Sequence, residues 1–334
     1  MLDSPQKVTV LGDGAWGTSL AMVLAHSVPQ VFVWSHDRAY ASLTDSLREN
    51  TKFLPGVKLP RGLTFSGEAA EVLEGSELLV SVLPSRFLRA ALISVKPHYR
   101  GIPVVSATKG IEGASLLTST GVIREVLSPS YLAAISGPSH AEEVARGLPA
   151  TVVIASEDNE LSGSLQRLFN TPSFRVYTNN DIRGVELCGA TKNVIAIAAG
   201  ICDGMKLGDN AKSALITRGI AEIGRFIEMM GGSQETVSGL AGIGDLITTC
   251  VSPFGRNRNV GIQLASGRTL AEITEGMETV AEGITTARAI VDIARAHNVE
   301  MPICEEVCRV LFDGKSPHHG VADLMSRELK SEGR

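Results

Sequence analysis

The sequence predicts an α/β protein, a doubly wound parallel sheet followed by an all-α C-terminal domain. Three observations carry this. Short, continuously apolar β-rich runs alternate with helical patterns through the first half of the chain. The alternation stops near Asn179, and helical patterns dominate beyond it. The 334 residues, 44% hydrophobic and 20% charged, suit two domains with a large core.

VTVLG (8–12) reads as the first strand, followed by a helix from Ala15 to about Ser27. VFVW (31–34) reads as the second, followed by a helix near 38–48. LLVSVL (78–83) and PVVSAT (103–108) are strands on either side of a helix over Ser85–Val95. YLAAIS (131–136), ATVVIAS (150–156) and SFRVYT (173–178) continue the series. Strands this apolar belong to a parallel sheet covered on both faces. Helices follow at roughly 181–205, 209–230, 258–266, 284–296 and 302–312, punctuated by Gly and Pro clusters. The expected division is 1–178 and 179–334, with the site in the cleft between the two.

Composition excludes several classes. The net charge is −5, so no global basic field invites nucleic acid or anionic lipid. Cys188, Cys202, Cys250, Cys304 and Cys308 are scattered and form no CxxC pair, which argues against a disulfide framework or a zinc site. The N-terminal MLDSPQKVTVLGDG shows no charged-then-apolar leader. No uninterrupted run of about eighteen apolar residues is present. The expectation is a cytoplasmic protein with no stable membrane insertion.

GDGAWG (12–17) lies between the first strand and the first helix. Gly12 makes the tight turn, Gly14 lets the backbone approach a pyrophosphate, and Gly17 lets the helix pack close to the strand. The pyrophosphate would sit on the helix N-terminus, where free N–H groups favour an anion. This context makes the sheet domain Rossmann-like and implies a dinucleotide. After the second strand stand Ser35, His36, Asp37 and Arg38. Serine leaves room for a 2′-phosphate that His36 or Arg38 could bind, while Asp37 could turn toward a ribose. The segment therefore reads as NADPH-capable, with NADH also allowed.

Within LCGATKNVIAIAAG (187–200), Lys192 stands on a stripe of small and apolar residues, beside Asn193. Counted on a helix, Val185, Cys188, Gly189, Ile195, Ala196 and Ala199 share its face. Nothing anionic lies at helical neighbour distance, since Glu186 is six positions away. Desolvation should lower its pKa and make it a proton donor or acceptor near neutral pH. A lysine snorkelling out of a core helix is the bland alternative. SGPSHAEE (136–143) ends a strand and opens a helix, with Ser139 and Glu142 at capping-box spacing. GLAGIGDLITTC (239–250) brings a glycine run up to Asp245, and GRNRN (255–259) places Arg256 and Arg258 beside Asn257 and Asn259, a combination suited to phosphate. ATKG (107–110) puts Lys109 at a strand end, where open sheets bind ligands.

Together these segments resemble the bacterial form of the NAD(P)-dependent glycerol-3-phosphate dehydrogenases, over nearly the whole chain. The resemblance is carried by GDGAWG, VLPS (82–85), ATKGIE, ISGPSHAEEVARGLPA, ELCGATKNVIAIAAGI, ALITRG (214–219), GLAGIGDLITTC, GRNRNVG, VAEG (280–283) and VEMPICEEV. It implies Lys192 as the catalytic acid/base. It implies Lys109, Gly137, Ser139, Asn193, Asp245, Arg256 and Asn257 around the substrate, with Lys109 near the nicotinamide and Arg256 also touching the cofactor. Ala15, Trp16, His36, Ala141, Val280 and Glu282 would line the NADPH site with the glycine loop. Three positions depart from the pattern. Ala15 stands where many relatives have Ser, Asp13 stands in a loop that is usually GAG, and Gly255 replaces a Ser and can offer only its backbone N–H. Asp13 would repel a pyrophosphate unless it pointed away.

The implied reaction is reversible reduction of dihydroxyacetone phosphate to sn-glycerol 3-phosphate, supplying glycerol phosphate for phospholipid synthesis, in a homodimer and without a metal. Small residues around Lys192 would exclude water and leave space for a three-carbon substrate. Two other readings compete: a β-hydroxyacid dehydrogenase acting on a small hydroxy acid, against which the GRNRN loop argues, and a non-catalytic NADPH-sensing protein, which would need no buried lysine.

Overall fold

The computed structural model describes residues 4–275, 277, 281–329 and 331–332. Eight strands form one sheet: β1 (Lys7–Leu11), β2 (Gln30–Trp34), β3 (Leu63–Ser66), β4 (Leu78–Ser81), β5 (Val104–Ser106), β6 (Leu132–Ser136), β7 (Ala150–Ala155) and β8 (Phe174–Asn179). Their order is β3-β2-β1-β4-β5-β6-β7-β8. The chain winds outward from β1 in both directions, and the β1/β4 reversal leaves a crevice at the strand ends where such sheets bind ligands. Helices α1 (Ala15–Leu24), α2 (Arg38–Leu47), α3 (Ala69–Leu73), α4 (Ser85–Val95), α5 (Ser119–Leu127), α6 (Ala141–Val144) and α7 (Asn159–Phe169) connect the strands. Two separate clusters of buried apolar residues, one containing Val10, Val33 and Val80 and the other Leu11, Leu79 and Val104, cover the two faces. This is the alternation of inward positions along each strand.

Two expectations about the sheet need correction. It is not wholly parallel, because β6 and β7 pair antiparallel, with Ile135 opposite Ile154. The return from β6 contains only the four-residue α6, too short to be the crossover that parallel strands need. The third strand, LTFS at Leu63–Ser66, was not read from the sequence. It is a short edge strand with alternate residues buried, and so lacks the continuous apolar signature of its neighbours.

From α8 (Ile182–Gly204) onward the described chain is helical: α9 (Gly208–Met229), α10 (Gln234–Val237), α11 (Asp245–Val251), α12 (Arg256–Ala265), α13 (Leu270–Glu275), α14 (Glu282–Ala296), α15 (Pro302–Phe312) and α16 (Pro317–Met325). Helix α8 is the axis of this part. Only Arg183, Asp203 and Gly204 escape burial, so the helix is apolar all round, as one enclosed on every side must be. By length and composition it could cross a membrane, but it is the core helix of this fold, and its most apolar stretch is buried throughout. Helices α9, α11, α12 and α14 pack around it.

The small residues of α8 have two tasks, which modifies the expectation that they simply make room for substrate. A Cβ at Gly200 would lie 1.9 Å from the Arg258 carbonyl oxygen, and one at Gly261 of α12 would lie 2.0 Å from that of Ile197. The backbones of α8 and α12 therefore touch, and only glycine permits it. At the other end, a Cβ on Gly189 would lie 2.9 Å from Ser136 Oγ and 3.6 Å from Lys109 Cγ. That end opens toward the sheet.

Candidate active site

The site begins with local sequence. The run GLAGIG does not stay extended. It winds into a single wide turn over Leu240–Gly244 and passes directly into α11, which Asp245 opens. A Cβ on Gly242 would sit 1.9 Å from the Val237 carbonyl oxygen, so this turn depends on a missing side chain. Its result is to project Asp245 into the core, 2% exposed, against the middle of α8.

There Asp245 meets two lysines. Lys192 Nζ donates to Asp245 Oδ1 and to Thr249 Oγ1 at 2.7 Å. Lys109 Nζ donates to Asp245 Oδ2 at 2.7 Å and to the Gly137 carbonyl at 3.3 Å. Ser136 Oγ donates to the same Oδ2 at 3.4 Å, and Thr249 Oγ1 donates to the Asp245 carbonyl at 2.6 Å. Lys109 follows β5, Ser136 ends β6 and Gly137 follows it, so the C-terminal ends of two strands and the helices close on one carboxylate. The expectation that Lys192 has no anionic neighbour holds only along its own helix; the counter-ion comes from 53 residues further on.

Electrostatics follow from burial and charge. Desolvation lowers the Lys192 ammonium to about 7, with Asp245 pulling it up and Lys109 pushing it down. Burial pushes the Asp245 carboxyl up, but the Lys109 and Lys192 charges outweigh it and hold the group below its usual value. The cluster therefore keeps its carboxylate ionised while Lys192 exchanges a proton near neutrality. His140, half-buried beside α11, is lowered by burial and by the Lys192 charge.

Beside this cluster lies an amide latch. Asn257 Nδ2 donates to Asn193 Oδ1 at 2.9 Å, Asn193 Nδ2 donates to the Gly189 carbonyl at 3.1 Å, and the Gly283 N–H donates to Asn257 Oδ1 at 2.9 Å. Both amides are buried and tie α8, α12 and α14 together. Among the described residues, the second N–H of the Asn257 amide has no acceptor. Helix α12 starts two residues earlier than the periodicity suggests, at Arg256, so Arg256 and Asn257 occupy its first turn rather than a loop. Gly255 provides no side-chain cap, and its N–H is committed to the Ser252 carbonyl at 3.2 Å, so it is not the donor expected of it. Arg256 is exposed and close enough to Glu282 for its charge to be felt there.

The SGPSH turn also differs from expectation. Ser139 and Glu142 form no capping box. Ser139 Oγ donates to the Gly137 carbonyl at 2.9 Å, and α6 starts after His140 without a side-chain cap. Gly137 adopts φ +138°, where a Cβ would meet Val152 Cα at 2.9 Å, so the chain turns away from the strand before any helix can be capped from Ser139.

The glycine loop has the shape a dinucleotide requires. Gly12 takes φ +113°, a Cβ on Gly17 would lie 1.9 Å from the Gly12 carbonyl oxygen, and Gly14 faces open space. Gly14 leaves α1 without a side-chain cap, so the first-turn N–H groups around Ala15 and Trp16 are offered outward. Trp16 Nε1 is buried without a hydrogen-bond partner among the described residues. Ser19 Oγ lies 2.8 Å from the carbonyl oxygens of both Ala15 and Ala141, its single proton shared between them, and so joins the starts of α1 and α6. Glu282, half-buried at the start of α14, accepts from the Ser85 N–H at 3.1 Å and from Ser85 Oγ, fastening α4 to the helical part. His36 is exposed after β2. Val280 lies outside the described residues. The loop geometry and the outward first turn of α1 thus fit a bound dinucleotide.

Sequence reasoning missed Thr249, Ser136 and Ser85. Each is an ordinary hydroxyl residue within a longer motif, and only the folded chain brings it to a lysine or a carboxylate.

Comparison with known proteins agrees with this architecture. Residues 7–162 match the family model for the NAD-dependent glycerol-3-phosphate dehydrogenase N-terminus, and residues 181–322 match that for its C-terminus. The chain is 45% identical over 332 residues to a glycerol-3-phosphate dehydrogenase [NAD(P)+] of Koribacter versatilis, covering 98% of both chains. It is 46% identical over 330 residues to one of an Anaeromyxobacter species, covering 98% of this chain and 99% of that one. The crystal structure of glycerol-3-phosphate dehydrogenase from Coxiella burnetii superposes with a TM-score of 0.92 at 37% identity, covering 96% of this chain and 99% of that one. With both halves matched and such relatives along its whole length, the chain belongs to the NAD-dependent glycerol-3-phosphate dehydrogenase family.

Proposed function

We propose that the chain interconverts dihydroxyacetone phosphate and sn-glycerol 3-phosphate with NADH or NADPH. The carrying observation is Lys192, a buried ammonium lowered to about 7 and aimed by Asp245 and Thr249 at the junction of sheet and helices. When bound on the glycine loop, the dinucleotide supplies the hydride. As a ketone is reduced, negative charge grows on its oxygen, and the Lys192 ammonium stabilises that charge and gives up its proton there. In the reverse direction neutral Lys192 takes the hydroxyl proton. Asp245 acts here as the counter-ion that orients both lysines. With its oxygens occupied by Lys192, Lys109 and Ser136, it is poorly suited to holding a phosphate itself.

Phosphate recognition falls to the Arg256 guanidinium, the open first turn of α12 and the remaining N–H of Asn257. Gly137 and Ser139 shape the wall beside Lys109, and Gly12, Gly14, Ala15, Trp16, Gly17, His36, Ala141 and Glu282 frame the cofactor side. The chain divides near residue 180 into a dinucleotide-binding unit and a helical substrate unit, as the two family matches support. A cytoplasmic homodimer supplying glycerol phosphate to phospholipid synthesis is the setting that fits this activity.

The test is Lys192→Ala assayed with dihydroxyacetone phosphate and NADH or NADPH. General acid catalysis contributes about 10²–10⁴-fold, so turnover should fall by at least about 10². Turnover within about tenfold of the parent would remove Lys192 from the chemistry.

A further inference from the structure

The unusual residue of the glycine loop is held in a specific place. Asp13 Oδ2 accepts from Ser35 Oγ at 2.6 Å, and Ser35, fully buried, is the residue immediately after β2. The Asp13 carbonyl accepts from Asn50 Nδ2 at 2.7 Å and from Thr18 Oγ1 at 3.3 Å, so the backbone beneath the side chain is pinned as well. The carboxylate therefore points away from the helix N-terminus, where a pyrophosphate would sit, and toward the end of the second strand. In dinucleotide-binding folds that is where an acidic residue accepts from the adenosine ribose 2′-hydroxyl.

The residues that follow β2 do not fill that role themselves. Asp37 Oδ1 accepts from the Tyr40 N–H at 3.0 Å and caps α2, and the Asp37 N–H donates to Ser35 Oγ at 3.1 Å. Arg38 pairs with Glu68 at 3.0 Å on the surface. His36 is exposed, and its charge acts on Asp13.

We infer that Asp13 selects the cofactor: reaching across from the glycine loop, its carboxylate replaces the missing strand-end acid and favours the free 2′-hydroxyl of NADH over the 2′-phosphate of NADPH. This rests on the proposed cofactor site at that loop. A 2′-hydroxyl can donate to Asp13, whereas a 2′-phosphate would set a second anion against a carboxylate already stripped of much of its water, and like charges so placed are strongly disfavoured. Burial pushes the Asp13 carboxyl above its usual value, and the Ser35 hydrogen bond pulls it back. Both effects arise from the partly enclosed position that would confront the phosphate.

The experiment is calorimetric titration of the whole protein, without substrate, against NADH and NADPH. NADH should bind about tenfold or more tightly, as a close like-charge contact in the NADPH complex requires. Asp13→Asn keeps the shape and an acceptor for Ser35 but removes the charge, and should bring the two affinities within about threefold. The same titration of the parent protein with ADP and with its 2′-phosphorylated form repeats the comparison without the nicotinamide and without any variant. Equal or tighter binding of NADPH by the parent, or an undiminished gap in Asp13→Asn, would overturn the assignment of Asp13 alone. Failure of both dinucleotides to bind would instead remove the glycine-loop cofactor site, and this inference with it.

Discussion

Lys192 and Asp245 lie on different helices, α8 and α11, yet the ammonium of one donates to the carboxylate of the other in an interior where both are almost fully buried. Lys109 takes the second oxygen of the same carboxylate, so two cations share one anion. A buried pair of this kind is weak evidence for stability, since desolvation consumes much of its attraction. It is stronger evidence for function, because it holds a proton-exchanging amine in one place.

The first prediction concerns pH. The Lys192 ammonium is lowered from 10.5 to about 7, so its protonated fraction falls as pH rises through that value. Ketone reduction needs the protonated form, and kcat/KM in that direction should decline above about pH 7. Alcohol oxidation needs the neutral form and should rise over the same range. Profiles measured in both directions should cross, and a flat profile between pH 6 and 8 in both would contradict the role.

Asp245→Asn removes the counter-ion without changing its shape. The attraction that raises the Lys192 pKa is lost while Lys109 still repels it, so the ammonium falls further. The break in the reduction profile should move by about one pH unit or more toward acid, with activity at pH 7 reduced. A break that stays in place would show that Asp245 does not set the lysine.

Two glycines of the loop should respond oppositely to the same added methyl. Gly17→Ala drives a Cβ into the Gly12 carbonyl and should cost about 2 kcal/mol or more of stability in denaturant unfolding. Gly14→Ala meets nothing within 4 Å in the free protein, and its stability should stay within about 0.5 kcal/mol of the parent. Dinucleotide affinity should nonetheless fall in Gly14→Ala, because the empty space is where the pyrophosphate approaches. Unchanged affinity in that variant would argue that nothing binds against the loop.

Arg256→Ala tests the phosphate subsite. Its side chain is exposed at the start of α12. KM for dihydroxyacetone phosphate should rise by about tenfold or more, the order expected for losing one charge-assisted hydrogen-bond donor. Steady-state kinetics with an unchanged KM would move phosphate recognition elsewhere.

Much of this protein was determined by the sequence alone. The glycine loop follows a strand and precedes a helix, so the sequence by itself assigns each of its three glycines a task. The apolar runs of β1, β4 and β5 and the long small-residue helix around Lys192 were legible because burial on all sides leaves an unbroken apolar signature. Lys192 itself stood out as a charge where such a signature tolerates none.

What only the tertiary structure decided depends on residues far apart in the chain. Periodicity describes the neighbours of Lys192 on its own helix. It does not reveal that a glycine-rich turn would deliver Asp245 to it, that Thr249 would ride along one turn later, or that Ser136 and Lys109 would arrive from the sheet. Asp13 looked like a misfit within its loop until Ser35, beside it only across the sheet, gave its carboxylate a direction. The antiparallel step between β6 and β7 was hidden for the same reason, since a buried strand looks equally apolar whichever way it runs. Sequence pattern records how far each element is taken from water, while charge pairing and strand direction are set by which elements meet, and that is fixed only when the whole chain closes on itself.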